Sequence, residues 1–183
     1  ASDQVLVSVN KTPDVDAGFD KTICYGEDVT IVATTNTLGS TITWSNNKYT
    51  ASQIVKPSST TAYSVSVVKD GCTGTDDVVV YVNSIPNVNA GADRTVCYEE
   101  TVNLVGSGAD DYVWNIGGPG QSKVVNPTTT TTYIVTGTKN GCTASDDIII
   151  TVKPLPVVSS SGNTTICNGQ YTNISVSGGT TYT

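Results

Sequence analysis

The sequence predicts an all-β chain built from small sandwiches in tandem. Three observations predict it. Val, Ile, Thr and Tyr are abundant, helix formers are sparse and Met is absent, a composition suited to pleated, half-buried surfaces. Short runs alternate apolar and polar residues with the period of two that a strand requires. The chain also repeats itself, with Trp44 returning as Trp114, Pro57 as Pro127, Tyr63 as Tyr133 and Cys72 as Cys142, each 70 residues on.

Taken in order, residues 2–10 (SDQVLVSVN) match TDDVVVYVN from Thr75 and SDDIIITVK from Ser145, so residues 1–10 are expected to be the last strand of a preceding repeat. Repeat 1 then covers 11–84, repeat 2 covers 85–154, and 155–183 is the N-terminal part of a third. Before Trp44 the register is 73, because repeat 1 carries three extra residues between Cys24 and Trp44, in TTNTLGST; insertions belong in loops, and this one marks a loop. The core-facing positions are Val29, Ile31 and Ala33; Ile42 and Trp44; Tyr63, Val65 and Val67; Val78, Val80 and Val82. Their counterparts in repeat 2 are Val102, Leu104 and Gly106; Tyr112 and Trp114; Tyr133, Val135 and Gly137; Ile148, Ile150 and Val152. Asp70-Gly71 and Asn140-Gly141 lie between alternating runs and predict tight hairpins with positive φ. The linkers before Pro86 and Pro156 are too short to act as flexible tethers, so consecutive repeats are expected to follow one another closely, head to tail. Tyr182 follows Cys167 at the spacing of Tyr112 after Cys97, which predicts a Trp just beyond Thr183.

Seven or so short strands in about 70 residues, with one Trp on the third strand and a Tyr opening the penultimate one, describe a two-sheet sandwich. Trp44 and Trp114 are then core anchors, not sugar-stacking platforms. Tyr63 and Tyr133 are core residues whose hydroxyls are expected to tie back to nearby backbone.

Charge and composition exclude several functions. Nine Lys and Arg against sixteen Asp and Glu give a net charge of −7, the wrong sign for tracking phosphates, so no nucleic-acid partner is expected. No long apolar run suggests membrane insertion of this segment. There is no His, which removes Ser-His-Asp and Cys-His nucleophile arrangements, and no Gly-rich phosphate loop leads from a strand into a helix. The chain is read as no enzyme, with no cofactor and no metal. Asp76-Asp77 and Asp146-Asp147 recur before the last strand, with Asp3 matching the first of each pair, and Asp14, Asp16 and Asp20 lie near a junction. Calcium there would need a ligand-loop spacing that is missing, and turn capping is the simpler role. Tyr25 and Tyr98, each following a Cys, are the candidate carbohydrate-stacking residues, although Asn168 takes that place in the third repeat. Asn10, Asn163 and Asn173 head N-x-Thr/Ser triplets.

The motifs VDAGFDKTICYGEDVTI and VNAGADRTVCYEETVNL, TITW and DYVW, PSSTTAYSV and PTTTTTYIV, and DGCTGTDDVVV and NGCTASDDIII cover essentially the whole chain. Together they resemble the Ig-like, PKD-like repeats of large Bacteroidetes surface proteins, including SprB-type gliding-motility adhesins exported by the type IX system. The resemblance implies a head-to-tail array of Ig-like repeats at the cell surface, acting in adhesion and gliding through a stiff filament. It further implies that surface polysaccharide or a solid substratum is contacted by other regions, while neighbouring repeats are the partners here. The alternative is a spacer or carbohydrate-binding accessory module of a secreted polysaccharide-degrading enzyme. Cys97 is followed by Tyr-Glu-Glu where Cys24 is followed by Tyr-Gly-Glu, a departure outside the core pattern.

Five Cys without His or a C-x-x-C pair fit a disulfide framework in an oxidising, extracellular compartment. Two pairings are open. One bridges within repeats, Cys24 with Cys72 and Cys97 with Cys142. The other bridges between repeats, Cys24 with Cys142, leaving Cys72, Cys97 and Cys167 to partners elsewhere. Geometry favours the second: in a sandwich about 17 to 20 Å tall, the turn after the first strand and the penultimate hairpin lie at opposite ends, whereas bridged Cα atoms must lie within about 7 Å.

Overall fold

A computed structural model describes residues 3–162 and 165–179. Asn163 and Tyr182, and with Tyr182 the spacing that predicts a following Trp, lie outside the described residues. The chain divides into two compact units, Ala1–Asn87 with Gly137–Ala144, and Val88–Thr136 with Ser145–Thr183.

The first unit is built from β1 (Lys21–Cys24), β2 (Val29–Val32), β3 (Thr41–Trp44), β4 (Ser52–Val55), β5 (Thr61–Lys69) and β6 (Cys72–Asn83). One sheet has the order β1-β6-β5-β3 and the other pairs β2 with β4. The first strand lies parallel to the last, the second pairs with the fourth, and the third pairs with the fifth. That is the strand arrangement of an Ig-like sandwich. Alternation decides which face is inside. Along β5, Tyr63, Val65 and Val67 are buried while Ser64 and Ala62 are exposed, and along β6 Val78 and Val80 are fully buried. Trp44 adds to the same inner face from β3, and Ile31, Ala33 and Val55 close the core from the facing sheet. The β5–β6 turn is held by Asp70 at φ 47° and Gly71 at φ 81°, the conformation whose twist matches the flanking strands.

Repeat 2 follows the same plan with β7 (Arg94–Cys97), β8 (Val102–Val105), β9 (Asp111–Trp114), β10 (Ser122–Val125), β11 (Thr131–Lys139) and β12 (Cys142–Lys153), in sheets ordered β7-β12-β11-β9 and β10-β8. Its core holds Val102, Leu104, Tyr112, Trp114, Tyr133, Val135, Ile148 and Ile150. Asn140 at φ 49° and Gly141 at φ 80° make the equivalent turn.

The repeats differ where their sequences differ in length. In repeat 1 the longer β2–β3 loop carries Leu38 into solvent at 91% exposure. In repeat 2 the shorter loop is locked by Tyr112, whose hydroxyl donates to Ala109 O at 2.6 Å and accepts from Ala109 N at 2.8 Å. The Tyr112 ring occupies the space that a side chain at Gly106 would need, since a Cβ there would sit 2.8 Å from Tyr112 Cδ1. Repeat 1 solves the same problem with Ala33 and the smaller Ile42. Gly106→Ala is therefore expected to destabilise the second unit by about 1–3 kcal/mol, read from the urea midpoint. Adding Tyr112→Ile should recover part of the loss.

Residues 3–10 form no strand, and Val5, Leu6, Val7 and Val9 are exposed. Beyond repeat 2, β13 (Ser159–Ser161) pairs with β14 (Ser175–Ser177), and no apolar side chain of this hairpin is buried. Among the described residues no helix is long and apolar enough to cross a membrane.

Candidate functional site

The cysteines are presented by a short turn with its own cap. Cys24 ends β1, and its N–H donates to Glu27 Oε2 at 2.8 Å while Glu27 N donates back to Cys24 O at 3.0 Å. Cys97 and Glu100 repeat both bonds, at 2.9 and 3.1 Å, and Gln170 N donates to Cys167 O at 3.0 Å. The recurring spacing from Cys to Glu is thus a capped turn that holds Cys24 and Cys97 at strand ends, and Cys167 keeps the backbone bond of that turn. Within it, Gly26 has φ 87° and Glu99 has φ 60°. A left-handed backbone costs an L residue about 1–2 kcal/mol, part of which glycine returns as unfolded-state entropy. Glu99→Gly should accordingly raise the stability of the second unit by about 0.5–1 kcal/mol in thermal or urea unfolding.

Cys24 and Cys142 form a disulfide with their Cα atoms 5.6 Å apart, within the usual range for such a bridge. It joins the strand that opens repeat 1 to the tip of the β11–β12 hairpin, across 118 residues of sequence. The surroundings are specific. Register places Cys24 opposite Asn83 at the end of β6, and Tyr25 N donates to Asn83 O at 2.8 Å. The Asn83 side-chain amide donates to Asn140 O at 2.8 Å, and Asn83 O lies 4.0 Å from Cys142 Sγ. Asn83 thus holds the hairpin tip and the cystine strand together, a role the sequence hints at only through the Asn closing both VSVN and VYVN. Cys142 is 1% exposed.

The pairing within repeats, Cys24 with Cys72 and Cys97 with Cys142, does not form. Cys24 lies opposite Asn83, and Cys72 begins the same strand eleven residues earlier, about 35 Å away at strand rise. Cys97 lies opposite Lys153 and is separated from Cys142 in the same way. Cys72, Cys97 and Cys167 are free thiols, Cys72 half-buried and the other two exposed.

The remaining candidates fall into place around this site. Trp44 and Trp114 are each 1% exposed, with indole N–H groups donating to Thr50 O at 2.9 Å and Gln121 O at 3.3 Å, so neither presents a face to a sugar. Tyr63 and Tyr133 are buried, at 9% and 5% exposure, and burial pushes the Tyr63 phenol up from its ordinary value. Among the described residues neither hydroxyl bonds nearby backbone; the tying hydroxyl is that of Tyr112, whose place in repeat 1 is taken by Ile42.

The acidic residues are used as backbone caps. Asp76 accepts from Ala17 N at 2.7 Å and Asp20 from Val79 N at 2.9 Å, fastening the segment before β1 to β6; Asp146 with Ala90 and Asp93 with Ile149 do the same in repeat 2. Asp16 caps Gly18 N, and Asp14 pairs with Lys11. Among the described residues no group of three His, Cys, Asp or Glu side chains is arranged to hold a metal. Tyr25 and Tyr98 are exposed at 56% and 38%, and each borders a shallow groove, lined by Ser58, Ser59 and Thr60 in one case and Thr128, Thr129 and Thr130 in the other. Asn173 is exposed, whereas the Asn10 amide donates to Asp70 O.

No family model matches the chain, and no curated protein sequence matches it. Among solved structures it is similar to the I67-I69 I-band fragment of titin, at 13% identity over 92% of this chain and 77% of that one, with a TM-score of 0.47. It is similar to extracellular domains 3-5 of Drosophila OTK, at 11% identity over 78% of this chain and 60% of that one (TM-score 0.46). It is also similar to the insect immune protein hemolin, at 14% identity over 80% of this chain and 48% of that one (TM-score 0.46). The chain thus spans less than two thirds of the OTK and hemolin structures.

Proposed function

We propose that the chain is a non-catalytic structural segment of a long extracellular filament at the cell surface, a stiff stalk of Ig-like repeats covering 11–84, 85–154 and onward from 155. The carrying observation is the Cys24–Cys142 bridge, which joins one repeat to the hairpin of the next through bonds that tension does not unfold. A module that merely folds alone has no need of such a bond. The motif resemblance to repeats of Bacteroidetes surface proteins supports a gliding-motility adhesin exported by the type IX system, with polysaccharide or a solid substratum contacted by other regions.

Non-reducing peptide mapping of the native protein by mass spectrometry tests this. A peptide joining Cys24 to Cys142 is the expected result. Cys24 joined to Cys72, with Cys97 joined to Cys142, would leave independent modules and overturn the stapled stalk. The second reading, an accessory module of a secreted polysaccharide-degrading enzyme, is favoured by the paired Tyr25 and Tyr98 grooves. It predicts that soluble polysaccharide quenches tyrosine emission in the wild type and fails to do so after Tyr25→Ala with Tyr98→Ala.

A further inference from the structure

The surroundings of the staple occur twice in this chain, and only one copy is filled. At the filled copy, Asn83 ends a strand, its amide donates to Asn140 O at 2.8 Å, and its carbonyl lies 4.0 Å from Cys142 Sγ. At the other, Asn10 ends the matching stretch of sequence, and its amide donates to Asp70 O at 2.9 Å on the equivalent hairpin tip. The Cys72 thiol donates to Asn10 O at 3.6 Å. Terminal asparagine, turn residue and hairpin cysteine are thus assembled in both places. Among the described residues, no strand like β1 (Lys21–Cys24) with its own cysteine lies beside the second place.

The flanking residues also await a sheet. Val5, Val7 and Val9 stand where Val78, Val80 and Val82 stand in repeat 1. Val78 and Val80 are fully buried, whereas Val5, Val7 and Val9 are 86%, 77% and 89% exposed. Alternating valines at that exposure are unstable in water unless a strand and a core partner cover them. The half-buried Cys72 contrasts with Cys142, which is sealed once its bridge is made.

We propose that residues 7–10 and Cys72 are the receiving half of a second staple, and that its occupant is the opening, cysteine-bearing strand of a preceding repeat of this kind. The inference rests on the stapled-stalk reading and extends it to a partner. The register of β1 on β6, with Lys21 opposite Val80 and Cys24 opposite Asn83, carries over. The incoming strand runs parallel to residues 7–10, with its lysine-equivalent opposite Val7 and its cysteine opposite Asn10. The two thiols lose two protons and two electrons to an external disulfide oxidant, which is reduced to its two thiols, and the new S–S bond forms between the incoming cysteine and Cys72.

The intact chain, with Cys24–Cys142 verified by mapping, can be challenged with a peptide of residues 20–28 whose cysteine is activated as its mixed disulfide with thionitrobenzoate. A protein thiolate attacks the peptide cysteine sulfur, the activated S–S bond breaks, and thionitrobenzoate leaves. Docking raises the local concentration of the peptide, so Cys72 is expected to be joined roughly tenfold faster than Cys97 or Cys167 despite being less exposed. A scrambled peptide should lose that preference, and Asn10→Ala should reduce it. Labelling that follows exposure, with Cys97 and Cys167 ahead of Cys72 for both peptides, overturns the second staple. If mapping still shows Cys24–Cys142, the stalk survives that result, whereas a missing Cys24–Cys142 peptide overturns the stalk itself.

Discussion

Removing the Cys24–Cys142 bridge, by reduction or by Cys24→Ser with Cys142→Ser, is expected to cost about 5 kcal/mol of stability, because a closed loop of this length takes that much entropy from the unfolded chain. A typical domain has about 5–15 kcal/mol in all, so the loss is close to decisive for sandwiches of this size. The enclosed residues, 118 apart in sequence, would extend to about 400 Å when pulled straight. Single-molecule pulling should therefore show a hidden length of that order, released only after reduction. Oxidised and reduced chains with equal contour lengths would mean that the bridge is absent from the native protein. Denaturant midpoints measured with and without reductant give the thermodynamic half of the same test.

The second large effect belongs to Trp44. Its side chain is 1% exposed and packs with Ile31, Val65, Val78 and Val80, while its indole N–H reaches Thr50 O at 2.9 Å. Trp44→Ala removes the largest buried side chain of the first core and is expected to cost about 3–5 kcal/mol. The second unit has its own core around Trp114, so the loss should be selective: Trp114 fluorescence keeps its native emission at denaturant concentrations where the first unit has already unfolded. Trp44→Phe should cost less, because the ring stays and only the larger indole and its hydrogen bond are lost. A Trp44→Ala chain with the wild-type midpoint would remove Trp44 from the role of core anchor.

Strand faces and hairpins were legible in the sequence because both are local. Alternation tells which of Tyr63, Ser64 and Val65 turns inward, and Asp-Gly or Asn-Gly supplies the positive φ that a two-residue turn demands. The pairing of Cys24 was less local. It depended on the first strand lying parallel to the last, which sets Cys24 beside Asn83 and a whole strand away from Cys72. Side-chain tethers were not legible at all. Nothing in composition distinguishes Tyr112, which ties its loop, from Tyr63 and Tyr133, which tie none; the difference is position, since Tyr112 lies on the strand that follows that loop and the other two lie on the penultimate strands. The aspartates, by contrast, were recognisable as recurring, and their work as caps on Ala17, Ala90, Val79 and Ile149 became clear only once the opening segments were seen against β6 and β12. Residues 3–10 keep the alternation of a strand while forming none, since pairing needs a neighbour and alternation does not.

The bridge also changes what a protease can do. The β2–β3 loop, with Leu38 in open solvent, is the sort of place such enzymes cut. That loop lies between Cys24 and Cys142, so one cleavage there leaves both fragments attached to each other. The bridge spans 118 residues and the pattern returns every 70, so in an array joined this way successive bridges overlap. Every peptide bond between the first and the last bridged cysteine then falls inside at least one closed loop, and a filament nicked once anywhere in that stretch stays a single covalent molecule.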